Sequence, residues 1–200
     1  MKKRSILTAV IAVILLRYPV NADVAPMTLE RMIAASSIIV LGKVSRVAVF
    51  NPSAEYPVKI AEVEVIETLK GPRNLKTVYY WASPGWACDV TTAHEGETDL
   101  FLFRPGTRFR DYPQSLSAII PKIKAMTGNR ELATIIHSGR GQMEINEMDG
   151  GKYVLGSKEG GDIIFPKSIK LYDYPDPEYS YVGMVKIDDL LTYIRNYVHK

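Results

Sequence analysis

The chain has 200 residues, with 25 Lys and Arg against 22 Asp and Glu, for a formal charge of +3. Four of those basic residues, Lys2, Lys3, Arg4 and Arg17, lie in the first 22 positions, which hold no acid, so the remaining 178 residues carry −1. A chain this near neutrality lacks the basic footprint that phosphate neutralisation demands, which excludes nucleic acid as an expected partner. A single cysteine, Cys88, excludes an internal disulfide.

Lys2-Lys3-Arg4 precede an apolar run over residues 6–16, which Arg17 closes, and Val20-Asn21-Ala22 resembles a small-residue cleavage site. The run is shorter than the roughly 20 apolar residues that cross a bilayer. Residues 1–22 are therefore expected to be a signal peptide. The mature chain would begin at Asp23, secreted or periplasmic, with no transmembrane segment after cleavage. No cysteine lies near the cut to carry a lipid, and Asn51 is followed by Pro52, so no Asn-Xaa-Ser/Thr glycan acceptor occurs.

Thr28 is placed to cap a short helix in which Leu29, Met32 and Ile33 recur at helical spacing. Residues 38–49 are rich in β-branched side chains, with Gly42 where a bend or a close backbone approach would fit. Residues 58–70 largely alternate apolar and charged, and a slip at Ile60-Ala61-Glu62 suggests a bulge. The two runs read as antiparallel neighbours in a curved sheet. Thr77-Val78-Tyr79-Tyr80-Trp81 predicts a third strand and Leu100-Phe101-Leu102-Phe103 a fourth, with a polar loop over residues 83–97 between them.

Residues 107–135 carry a weaker pattern, in which Pro121 would break or begin a helix. Residues 142–147 and 152–155 predict a hairpin across an Asp149-Gly150 turn. Residues 172–181, YDYPDPEYSY, are too rich in Pro for regular structure and read as an exposed Tyr-rich connection. Leu190, Leu191, Ile194 and Val198 mark a C-terminal helix with one apolar face.

Several of these pieces resemble the tissue-inhibitor-of-metalloproteases-like and netrin-like domains. The resemblance rests on Gly42-Lys43-Val44, Leu69-Lys70-Gly71, Cys88, and Gly96 ahead of Leu100 to Phe103, and it covers about residues 24 to 104. It implies a mainly β fold: a five-stranded OB-type barrel over residues 23–106, preceded by a short helix. Residues 107–200 would then be an extension holding the hairpin, the Tyr/Pro-rich loop and the C-terminal helix, packed on the barrel. In the family's inhibitors an N-terminal Cys lies on the protease zinc. Here the expected N-terminus is Asp23 and Cys88 has no partner, so inhibition through such a wedge is not expected.

Candidate chemistry is sparse. Cys88 and Asp89 share the 83–97 loop with His94, and a histidine near a thiol lowers its pKa, so a small thiol-dependent enzyme using Cys88 and His94 is the alternative reading. A lone cysteine is more often a small buried hydrophobe. His94, Glu95 and Glu97 cluster without the close pairs typical of zinc sites, and His137 and His199 are distant, so no metal is expected. Trp81 and Trp86, with Tyr79 and Tyr80, offer a stacking platform of the kind OB barrels use, although alternation along the strand commits at least one face to the core. Ser138-Gly139-Arg140-Gly141 reads as a turn, lacking the lysine of a phosphate-binding loop. Tyr172, Tyr174, Tyr179 and Tyr181 suggest a partner surface, since tyrosine is enriched at interfaces. The expectation is an exported, non-enzymatic binding or inhibitory module without a cofactor, acting on a protein or glycan partner. Its ligand contacts would come from Trp81, Trp86, Cys88 and His94.

Overall fold

The computed structural model describes residues 25–51, 57–84, 90–106, 116–157, 163–175, 178 and 182–200. Strands β2 (Ile38–Phe50) and β3 (Val58–Lys70) form a long antiparallel pair. β4 (Thr77–Trp81) adds to β3, and β5 (Thr98–Pro105) lies antiparallel on the other side of β2. β6 (Ala133–Ile135) closes the ring, pairing parallel with β4 at Tyr80–Ala133 and antiparallel with β5. The order β2-β3-β4-β6-β5 returning to β2 is a closed five-stranded barrel of OB type. The strand that completes it comes from beyond residue 106, so the barrel and the extension are interleaved in the chain.

The predicted slip at residues 60–62 has a different cause. Ile60, Ala61 and Glu62 pair regularly with Ala48, Val47 and Arg46, and the nearest of three register shifts in this pair falls on β2 between Val44 and Arg46. Alternation fails in β3 because both faces are covered there. Ala61 and Val63 point into the barrel, while Val58 and Ile60 point outward into a second core. Gly42 is a point of close approach: a Cβ there would run into the Val63 side chain.

β5 is the strand that joins the two halves. One edge pairs with β2, and the other with β6 through residues 103–105 and with β7 (Gln142–Met148) through residues 99–101. Between β6 and β7 the chain loops out at His137, Ser138 and Gly139, all at positive φ. Leu102 bridges the gap, its carbonyl accepting from Ile136 and its N–H donating to Gly141. β7 continues through the predicted hairpin, with Asp149 and Gly150 both left-handed, into β8 (Gly151–Ser157). β11 (Val182–Lys186) and the two-residue β10 (Tyr172–Asp173) extend this wing. A separate parallel pair joins β1 (Met27–Thr28) to β9 (Ile163–Ile164).

Three helices occur among the described residues. α1 (Leu29–Ala35) starts where the Thr28 hydroxyl accepts from the Arg31 N–H, and the Ser36 hydroxyl donates back to the Met32 carbonyl. α2 (Ile120–Thr127) has Pro121 in its first turn, where the missing N–H costs nothing, and ends at Gly128 in the left-handed conformation. α3 (Ile187–Val198) begins with Asp188 and Asp189, which suit its positive end.

Side-chain direction sorts the molecule into three cores. Val40, Val44, Val63, Tyr80, Phe101 and Phe103 fill the barrel, with Phe101 and Phe103 stacked at 5.4 Å. On the outer face of β2 and β5, Ile39, Leu100 and Leu102 meet Leu29 and Met32 of α1, Leu190 and Ile194 of α3, and Met143, Val154 and Val185 of the wing. The extension therefore packs on the barrel through one continuous core. The third core lies outside β3 and β4 and is sealed by α2.

Candidate functional site

Trp81 ends β4 with its side chain outward and half-buried, packed on a cluster of Val58, Ile60, Tyr79, Ile119, Ile123 and Leu132. Arg130 sits 4.9 Å from the centre of the Tyr79 ring. Tyr80 alternates inward and is fully buried. OB barrels commonly bind ligands on the face of their second and third strands. Here those strands are β3 and β4, and that face lies under α2. Both faces of the aromatic strand are thus core.

Trp86 and Cys88, and with them Asp89, lie outside the described residues. His94 is exposed at the turn into β5, where its carbonyl accepts from the Glu97 N–H, while the Glu95 carboxylate accepts from the Val47 N–H. Among the described residues no group of three His, Cys, Asp or Glu side chains converges as a metal ion would require. The Ser138–Gly141 stretch is a turn whose backbone serves the fold. Its Ser138 carbonyl accepts from Val90, and Gly139 presses on the Val90–Thr91 backbone with no room for a Cβ.

A buried polar cluster occupies the same end of the barrel. Asp99 is 1% exposed, and one of its oxygens accepts from the Gln142 amide at 2.7 Å while Oδ1 has no hydrogen-bond donor. Burial pushes the Asp99 carboxyl up to about 6, with Glu97 and Glu144 adding to the rise and the Gln142 and Ile145 donors opposing it. The Tyr80 hydroxyl donates to the Thr92 carbonyl at 2.9 Å, and burial raises its pKa further beyond solution pH. These groups tie the 90–97 loop to β5 and β7. Asp99 and Tyr80 are themselves closed off from solvent, and their hydrogen bonds serve the fold.

The wing presents a different surface. Val154 and Val185 face the core, so Tyr153, Leu155, Met184 and Lys186, at alternate positions, take the opposite face, where Lys186 is exposed, Tyr153 is half-buried and Met184 is buried beneath its neighbours. Tyr172 of β10 pairs with Met184, and its ring meets that of Tyr153 edge-on at 5.9 Å. Lys170 lies 4.5 Å and Lys186 5.3 Å from the centre of the Tyr172 ring. Tyr153 folds back over Gly151, whose missing side chain leaves space for the ring. Of the expected tyrosines, Tyr172 belongs to this face and Tyr174 is half-buried just beyond β10, while Tyr179 and Tyr181 lie outside the described residues.

Sequence reasoning missed Tyr153, Lys170 and Lys186. Lys170 stands two positions from Tyr172, which puts both on one side of an extended chain, and Lys152-Tyr153-Val154 alternates across the hairpin. Those signals were readable. Lys186 was not, because its place depends on β11 pairing between β8 and β10.

No family model matches the chain, and no curated protein matches it.

Proposed function

We propose that the mature chain is an exported, non-enzymatic binding or inhibitory module that acts on a protein or glycan partner through the outer face of the wing. The observation that carries this reading is the Tyr153–Tyr172 pair with Lys170 and Lys186 about it, held on a hydrogen-bonded sheet. Rigid aromatic side chains on a sheet bind with little entropy cost, because neither the strands nor the rings must be ordered first. Among the described residues the protein's own helices cover the outer faces of the barrel strands around Ile39, Leu100, Tyr79 and Trp81, while the half-buried Tyr153–Tyr172 pair lies on the wing face turned away from the core. The basic, apolar and small-residue order of residues 1–22 supports export. No helix among the described residues is long and apolar enough to cross a membrane.

The test is expression of the full chain with its natural first residues, followed by N-terminal sequencing and crosslinking in envelope and culture fluid. The reading expects a chain beginning at Asp23 outside the cytoplasm, with a crosslinked partner that Tyr172→Ala weakens. An intact Met1 in the cytoplasm, or a mature chain recovered without partners, contradicts it.

A further inference from the structure

We infer that the wing face is an anion-binding site for an acidic saccharide, with Lys170 and Lys186 as its two cationic contacts. The inference rests on the binding-module reading above and names its ligand class. Two ammonium groups within 5.3 Å of one ring centre are drawn to the π cloud but repel each other. The ring does not consume their hydrogen-bonding capacity, since each ammonium keeps three donors. Neither lysine forms an ion pair with a carboxylate among the described residues. A carboxylate or sulfate set between them relieves the repulsion and accepts charge-assisted hydrogen bonds from both.

The surroundings favour a sugar as the carrier of that anion. Asn146, Tyr153 and Lys186 stand in register across three adjacent strands, so an amide, a phenol and an ammonium are carried on one face of the sheet. Those groups match hydroxyls spread along a saccharide. A peptide adding a strand would seek a sheet edge instead of a face. A bilayer would need more apolar surface than Leu155, 36% exposed, and Leu171, 40% exposed, provide.

Isothermal titration of the mature chain with a heparin-derived sulfated hexasaccharide tests the site, with the chemically desulfated hexasaccharide, a polyglutamate peptide and phosphatidylserine vesicles as comparison probes. The sulfated sugar should bind, and added salt should weaken it. Replacing both lysines by alanine should cost about tenfold or more in affinity, the size of one charge-assisted hydrogen bond. Replacing both by arginine should retain it. Thermal melting of each variant confirms folding, and both lysines are exposed, so neither change disturbs the core. Equal binding of the desulfated sugar, the peptide or the vesicles overturns the assignment, as does unchanged affinity in the double alanine variant. A crosslinked partner captured equally well by that variant would also overturn the saccharide site while leaving the binding-module reading intact.

Discussion

Asp99 is the residue at which burial and chemistry pull hardest against each other. It sits on β5 in line with Phe101 and Phe103, inside the barrel, with Gly42 opposite on β2 and Glu144 opposite on β7. Its carboxyl titrates near 6 in the fold against 3.8 for an unperturbed side chain, so the folded protein holds that proton more tightly than the unfolded one. The stabilising contribution is fully present below 3.8 and is lost as pH rises through about 6, a change of the order of 3 kcal/mol. Asp99→Asn should therefore gain on the wild type as pH rises from 4 to 7, read as the difference between their urea midpoints, and a difference independent of pH refutes this. Gly139, at φ +88 and against the Val90–Thr91 backbone, allows no side chain. Gly139→Ala should lower stability by about 2 kcal/mol, seen as a fall in melting temperature. The sequence showed a glycine-rich turn here. It did not show what the turn rests on, because that loop is nearly 50 positions away in the chain.

At the scale of elements, α2 decides which face of the barrel is available. Ile123 is 2% exposed in the core that α2 shares with β3 and β4, and Ile123→Ala should cost about 3 kcal/mol in unfolding free energy. Loss of that packing should also raise the exposure of Trp81, which its fluorescence wavelength reports. α3 is held by its apolar stripe, with polar links at the rim. Arg195 makes two hydrogen bonds to Glu67 at 2.9 and 2.8 Å, and Tyr193 donates to Glu30 of α1. Both members of the Arg195–Glu67 pair are more than a third exposed, so a double-mutant cycle should return less than about 1 kcal/mol. α1, α3 and the β7–β8 hairpin were legible because their signals are local: a cap, a helical stripe, an Asp-Gly turn. The face of Tyr79 and Trp81 was not. Period two shows that they share a side, but which element covers that side depends on residues 119–132.

For the whole molecule, β5 is the organising strand. Four barrel strands announced themselves through alternation and aromatic content. The fifth, β6, is three residues long and owes its existence to partners on β4 and β5, so nothing within Ala133–Ile135 predicts it. The wing depends on distant pairing in the same way through β11. A fragment of residues 23–106 lacks β6, α2, α3 and the wing, and leaves α1 alone to cover Leu100, Leu102 and Ile39. It should show no cooperative urea transition by circular dichroism, whereas the chain from residue 23 to 200 should unfold in one step.

The most direct test of the proposed wing site is a nuclear magnetic resonance titration of the labelled chain from residue 23 to 200 with the sulfated hexasaccharide. Amide shifts concentrated at Tyr153, Lys170, Tyr172 and Lys186 are the predicted result. Shifts centred on β3, β4 and α2, or none at saturating sugar, would contradict the account.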